Sequence, residues 1–131
     1  MKRFGVSVED GLLKELDRLV SKHKLPNRSQ AIRFLVRKNL LQDKWKDNKL
    51  VAGCVVLIYD HHRRDLLNNL MTIQHDHHHL ILSGQHVHLD HHHCLETILV
   101  KGRAKELNGL SKKLIGLKGI KGGDLIACST E

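Results

Sequence analysis

The chain is short of cysteine, of acidic residues and of long apolar runs. Its three cysteines, Cys54, Cys94 and Cys128, are an odd number in 131 residues. Cys54 also lies within an apolar stretch, so a disulfide scaffold is not expected. No stretch approaches the ~20 apolar residues of a membrane span, and no signal peptide pattern opens the sequence. The expectation is a reduced, cytoplasmic protein with no membrane partner. Acidic residues number 14 against 22 Lys and Arg, a net charge of +8, and the deficit is uneven. Residues 1–50 hold 13 Lys and Arg against 6 Asp and Glu, whereas the remainder holds 9 against 8. A basic module of this kind is the electrostatic footprint of a partner for a polyanion, most often nucleic acid.

This division points to two domains, over 1–45 and 46–131. The first is too small to bury much core by itself, and modules of that size usually need a disulfide, a metal or a second subunit. With disulfides set aside, a second copy of the chain is the expected completion.

Within the basic module, Phe4, Val6 and Val8 alternate with Arg3, Gly5 and Ser7, which is the period of a half-buried strand. From Asp10 to Lys22 the period becomes helical, with Leu12, Leu13, Leu16, Leu19 and Val20 in one stripe. Lys24-Leu25-Pro26 breaks the pattern. A second helix follows, with Asn27 as N-cap, Gln30 placed for a capping box, and Ala31, Ile32, Leu35, Val36 and Leu40 as its apolar face. One strand and two helices with strong positive charge resemble the ribbon-helix-helix DNA-binding fold. There, two chains pair single strands into a ribbon that enters the major groove of double-stranded operator DNA. The resemblance makes Arg3, Gly5 and Ser7 the outward residues of that ribbon. Arg3 is suited to guanine and Ser7 to a base edge; Gly5 stands where relatives usually carry a polar side chain. The amides around Arg28 and Ser29 would hold a phosphate.

Leu41–Leu50 is polar and reads as a helix end and linker. The pattern after it is βαββαβ: strands over 51–59, 80–89, 94–100 and 119–128, and helices over 65–73 and 103–117. That order gives the fold class as α+β, a ribbon-helix-helix module followed by a ferredoxin-like sandwich.

Eleven of the twelve histidines fall between Asp60 and Cys94. Four residues in that stretch, His75, His86, His88 and Cys94, follow the spacing H-x10-H-x-H-x5-C. Imidazole and thiolate together suit borderline transition metals, whereas calcium and magnesium want oxygen. His86 and His88 flank one residue, so on a strand both project from one face. A hairpin through Asp90–His93 would return Cys94 beside His88. Spacing leaves open whether His75 reaches its own chain's ion or a neighbour's.

Both halves together resemble the NikR family of nickel-responsive repressors. The resemblance implies one Ni(II) per subunit, held in a plane by His86, His88 and Cys94 of one subunit and His75 of another, in a homotetramer built as a dimer of dimers. Tyr59 and Glu96 match positions that orient the ligands, and Arg63 and Arg64 match a basic pair that touches the DNA backbone. Gln30 and Phe34 stand where relatives often carry carboxylates for a second, hard cation, so that site is not expected. His61, His62, His77, His78, His79, His91, His92 and His93 exceed what one site needs and are either accessory ligands or loop residues.

The function expected is a nickel-responsive transcriptional regulator that represses nickel uptake. A histidine-rich storage or delivery protein would not need the basic module, and a regulator of another transition metal would share every feature so far. An antitoxin of the ribbon-helix-helix type would not continue into a second patterned domain. An enzyme is not expected, because four protein ligands leave no open coordination position.

Overall fold

The computed structural model describes residues 1–130. They form two compact units, one spanning Met1–Leu40 and the other beginning at Leu41.

In the first unit, α1 (Asp10–Lys22) and the start of α2 (Arg28–Lys46) are joined by a tight turn. Lys24 adopts a left-handed conformation there, with φ 52°, in the manner of residues that end a helix. Asn27 caps α2 as the sequence predicts: its Oδ1 accepts from the Gln30 amide at 2.9 Å. Arg28 clamps the two helices, donating to both carboxylate oxygens of Asp17 at 2.8 and 3.0 Å.

Residues 2–8 do not form the expected strand; the whole segment is exposed and lies in no ladder. A strand needs a partner for its backbone groups, and the chain offers none there. The apolar faces behave the same way. Phe4, Val6, Leu12, Leu35, Val36 and Leu40 are all exposed, and Ala31 is the one residue of α2 that is buried. Leu13, Leu16, Leu19, Val20 and Ile32 are half-buried, so the stripes read from the sequence are only partly covered within this unit.

The second unit corrects the expected linker. α2 continues to Lys46, because Leu41 and Trp45 keep helical spacing and Trp45 packs against the core. The chain turns at Asn48, φ 55°, whose Oδ1 accepts from the Lys105 amide at 2.9 Å. The order is then β1 (Leu50–Tyr59), α3 (Arg64–Asp76), a short 3-10 turn, β2 (Ile81–His88), β3 (Cys94–Arg103), α4 (Ala104–Ile115) and β4 (Ile120–Cys128). The strands form one antiparallel sheet in the order β2-β3-β1-β4, the βαββαβ arrangement expected from the sequence.

The core lies between one face of this sheet and the two helices. Val55, Leu57, Tyr59, Ile98 and Val100 meet Leu66 and Leu70 of α3 and Leu107, Leu110 and Leu114 of α4. The other face carries Cys54, Val56, Ile58, Leu95, Leu99 and Ile126, and no helix of this unit covers it; Leu99 and Ile126 are exposed. Leu107 is wholly buried, so Leu107→Ala should destabilise the chain by about 2–5 kcal/mol. Urea denaturation followed by circular dichroism checks this, and a loss below ~1 kcal/mol would show that the core is looser than its burial implies.

Candidate metal centre

Cys94 opens β3 and Tyr59 closes β1, and the two stand opposite each other in the ladder. On the other side, β2 sets His88 opposite Cys94 and His86 opposite Glu96. Directly opposed residues of an antiparallel pair share a face, so Tyr59, Cys94, Glu96, His86 and His88 all lie on the helix-covered side. The His86 and His88 rings stack with centroids 5.7 Å apart. Cys94 is buried, while both histidines are exposed at the edge strand.

Beneath these donors lies a polar chain. The Tyr59 hydroxyl donates to Glu96 Oε1, and Gln74 Nε2 donates to Glu96 Oε2 at 2.9 Å. Both carboxylate oxygens are thus held, from β1 on one side and α3 on the other. The Tyr59 ring stands beside Cys94, its partner in the ladder. Burial pushes the Cys94 thiol above its ordinary range, an effect the Tyr59 hydrogen bond opposes and the Glu96 carboxylate reinforces. Burial, together with the bond to Glu96, raises the Tyr59 phenol strongly, so it remains a donor. Such an arrangement favours the neutral thiol, and a cation would have to displace its proton to bind the sulfur.

His75 lies apart from this hairpin. It sits in the last turn of α3, exposed, and its carbonyl is bonded by His78 Nδ1 at 3.0 Å. Among the described residues, one group of three or more candidate ligand side chains lies within a single coordination distance, and it is Asp60, His61 and His62. His75, His86, His88 and Cys94 do not converge within one chain. The donor set nevertheless fits nickel: imidazoles and a thiolate are its ligands, and the Tyr59–Glu96–Gln74 chain beneath is of the kind that orients them.

Two residues of this region have contacts that the sequence does not announce. Gln74 ties Glu96 to the residue preceding His75, and its only sequence signal is its helical spacing from Leu70. His61 packs its ring on His88 with centroids 4.1 Å apart, which spacing could not show.

The other predicted residues fall as follows. Arg3, Gly5 and Ser7 are exposed in the N-terminal segment. Arg28 and Ser29 open α2, with the Arg28 guanidinium occupied by Asp17. Arg63 caps α3 and Arg64 begins it. The Arg63 guanidinium donates to Asp65 at 3.3 Å and lies against Gly119, where a Cβ would come within 2.7 Å of it. Phe34 packs against His23 in a tilted arrangement with ring centroids 4.9 Å apart.

Comparison with known proteins settles the family. Residues 52–128 match the NikR C-terminal nickel-binding domain. The chain belongs to the NikR family. A relative from Syntrophus aciditrophicus is 49% identical over 123 residues, covering 94% of this chain and 90% of its own. Relatives from Desulfovibrio desulfuricans and Chlorobaculum tepidum are 45% and 49% identical, each over at least 98% of this chain and 94% of their own. All three are provisionally named nickel-responsive regulators. The NikR family is one of regulators rather than enzymes, and among the described residues no helix is long and apolar enough to cross a membrane.

Removing the Tyr59 hydroxyl tests the polar chain. Tyr59→Phe should leave the fold intact and lower nickel affinity about 10–100-fold, measured by competition with a chelator. Unchanged affinity would mean that the hydroxyl does not hold the thiol and carboxylate in place.

Proposed function

We propose that this NikR protein is a nickel-responsive transcriptional regulator that binds operator DNA as a metal-loaded homotetramer and represses nickel-uptake genes in the cytoplasm. The observation that carries this reading is the registered row His88–Cys94–Tyr59, with the buried thiol backed by Glu96. A storage protein has no use for a single thiolate held this way, nor for a basic N-terminal unit.

Each subunit would supply His86, His88 and Cys94, and a neighbour's His75 would complete one Ni(II) site per subunit. Bound by these residues, nickel would supply a Lewis-acidic centre that ties donors from two chains together. Tyr59 and Glu96 keep the thiolate and the strand histidines oriented, and Gln74 carries that restraint into α3. The exposed face of the sheet, with Leu99 and Ile126, is the surface a second metal domain would cover, since apolar patches of this kind mark interfaces. The residues of the first unit's stripes that stay exposed, Leu12, Leu35, Val36 and Leu40, would be covered by another copy, with residues 2–8 of two chains paired as a ribbon. Occupancy would then bias the tetramer toward the arrangement that fits two half-sites, a shift in population driven by differential affinity.

In this reading Arg3 and Ser7 contact base edges and the backbone approaches closely at Gly5. The amides at Arg28 and Ser29 hold a phosphate. Arg63 and Arg64 touch the DNA backbone, with Arg63 held in place by Asp65 and Gly119.

Operator binding with and without nickel at fixed salt tests the proposal. Arg3→Ala should cost about 1–3 kcal/mol and relax sequence preference. Arg64→Ala should weaken binding on all sequences alike and flatten the salt dependence. If nickel leaves operator affinity unchanged, the chain is not a nickel-responsive DNA-binding protein. If Arg3→Ala leaves sequence preference intact, the N-terminal segment is not the reading element.

A further inference from the structure

A cleft of about 220 Å³ lies between α4 and the 3-10 turn His78–Leu80. Its lining is sorted by chemistry. The buried Leu80 and Leu110 give it an apolar floor. Glu106, Gly109 and Lys113 of α4 also line it, as residues three and four apart share a helix face. Glu106 and Lys113 are therefore two turns apart, roughly 10 Å along the axis, with Gly109 between them. Each charge has an imidazole beside it. His79 Nε2 lies 3.9 Å from Glu106 Oε2, and His77 Nε2 lies 3.4 Å from Lys113 Nζ. His77 Nδ1 is 2.8 Å from the Ile73 carbonyl, which can only accept. Nδ1 therefore carries the proton, and Nε2 of the neutral ring accepts from Lys113.

Gly109 is a second, independent observation. It sits inside α4, where glycine is a poor helix former. Its φ is not positive, and a Cβ there would meet nothing within 4 Å. Neither backbone conformation nor close packing accounts for it. Its missing side chain leaves open the space between the two charged ends. A metal ion is not the occupant indicated, because His77, His79 and Glu106 do not close to one coordination distance.

We propose that this cleft binds an extended zwitterion of the ω-amino acid class: a carboxylate and an ammonium joined by an aliphatic run. The carboxylate accepts from Lys113 Nζ, taking the place of His77 Nε2. The ammonium donates to Glu106, and the hydrocarbon crosses Gly109 on the Leu80–Leu110 floor. An α-amino acid carries both charges on one carbon and spans too little of the distance. A simple anion leaves Glu106 without a partner, and a simple amine leaves Lys113 without one, which is how such a site discriminates. Glu106 and Lys113 are exposed, so solvent screens both contacts and affinity is modest, of millimolar order. The bound molecule ties the 3-10 turn to α4, just beyond the turn of α3 that carries His75.

The test titrates the full chain, in metal-free buffer, with 6-aminohexanoate and follows saturation transfer to the ligand by NMR. The wild type should bind it about tenfold more tightly than hexanoate, hexylamine or norleucine. Glu106→Gln and Lys113→Gln change exposed residues and should fold normally, yet each should weaken binding about tenfold. Gly109→Leu fills the cleft and should abolish the transfer, its fold checked by circular dichroism. Should that variant fail to fold, the Glu106 and Lys113 variants decide. Lys112→Gln, one residue outside the lining, should bind as the wild type does. The proposal is overturned if the wild type shows no transfer, or if hexanoate or hexylamine binds as well as 6-aminohexanoate. It is overturned equally if folded Gly109→Leu, or both charge variants, bind as the wild type does, or if Lys112→Gln loses binding.

Discussion

The antiparallel register of β1 against β3 is the constraint on which the site depends. It sets Tyr59 opposite Cys94 and Leu57 opposite Glu96. The Tyr59 hydroxyl then crosses to the Glu96 carboxylate on the same face. A slip of one residue would turn every side chain of β3 to the other face, taking Cys94 out of the core and Glu96 away from Gln74. The hydrophobic pattern guards against that slip. Val55, Leu57, Ile98 and Val100 are wholly buried, and a slipped strand would exchange Ile98 and Val100 for Leu95, Thr97, Leu99 and Lys101. Core packing and donor placement are therefore one specification.

The same register holds the Cys94 thiol buried beside the two strand histidines. Burial pushes the Cys94 thiol above its ordinary range, which disfavours the free thiolate. A cation of sufficient Lewis acidity can take the sulfur as thiolate. The two strand histidines stand at an exposed edge, open to an arriving ion and to a neighbouring chain.

Much of this was legible in the sequence wherever period and local chemistry agree. The α1 bounds Asp10–Lys22, the Asn27 cap and the order of strands and helices in the second unit follow from hydrophobic spacing and turn residues. The placement of Cys94 beside His88 follows from a hairpin whose turn is rich in Asp and His. Legibility fails where the partner is distant in sequence or lies on another chain. Gln74 has no pattern that announces Glu96, and the contact between His61 and His88 depends on how two turns pack. The alternation of Phe4, Val6 and Val8 is that of a strand, yet one chain gives it no ladder. The expected helix end and linker over Leu41–Leu50 proves to be mostly helix, with the connection confined to residues 47–49, because Leu41 and Trp45 carry the helix onward into the core.

The apolar residues left exposed on the first unit and the separation of the four predicted nickel ligands are what the proposed tetramer would complete. The central claim is that a neighbouring subunit completes the nickel centre. The direct measurement is complementation between two damaged chains. His75→Ala retains the hairpin donors, and Cys94→Ala retains His75; neither alone can assemble three imidazoles and a thiolate around one ion. Unfolded together, refolded as mixed oligomers and loaded with Ni(II), they should regain the planar d–d spectrum of the wild-type site in a fraction of their interfaces. If the mixture shows only the sum of the two separate spectra, the fourth ligand does not come from a neighbour, and the nickel centre is not shared between subunits.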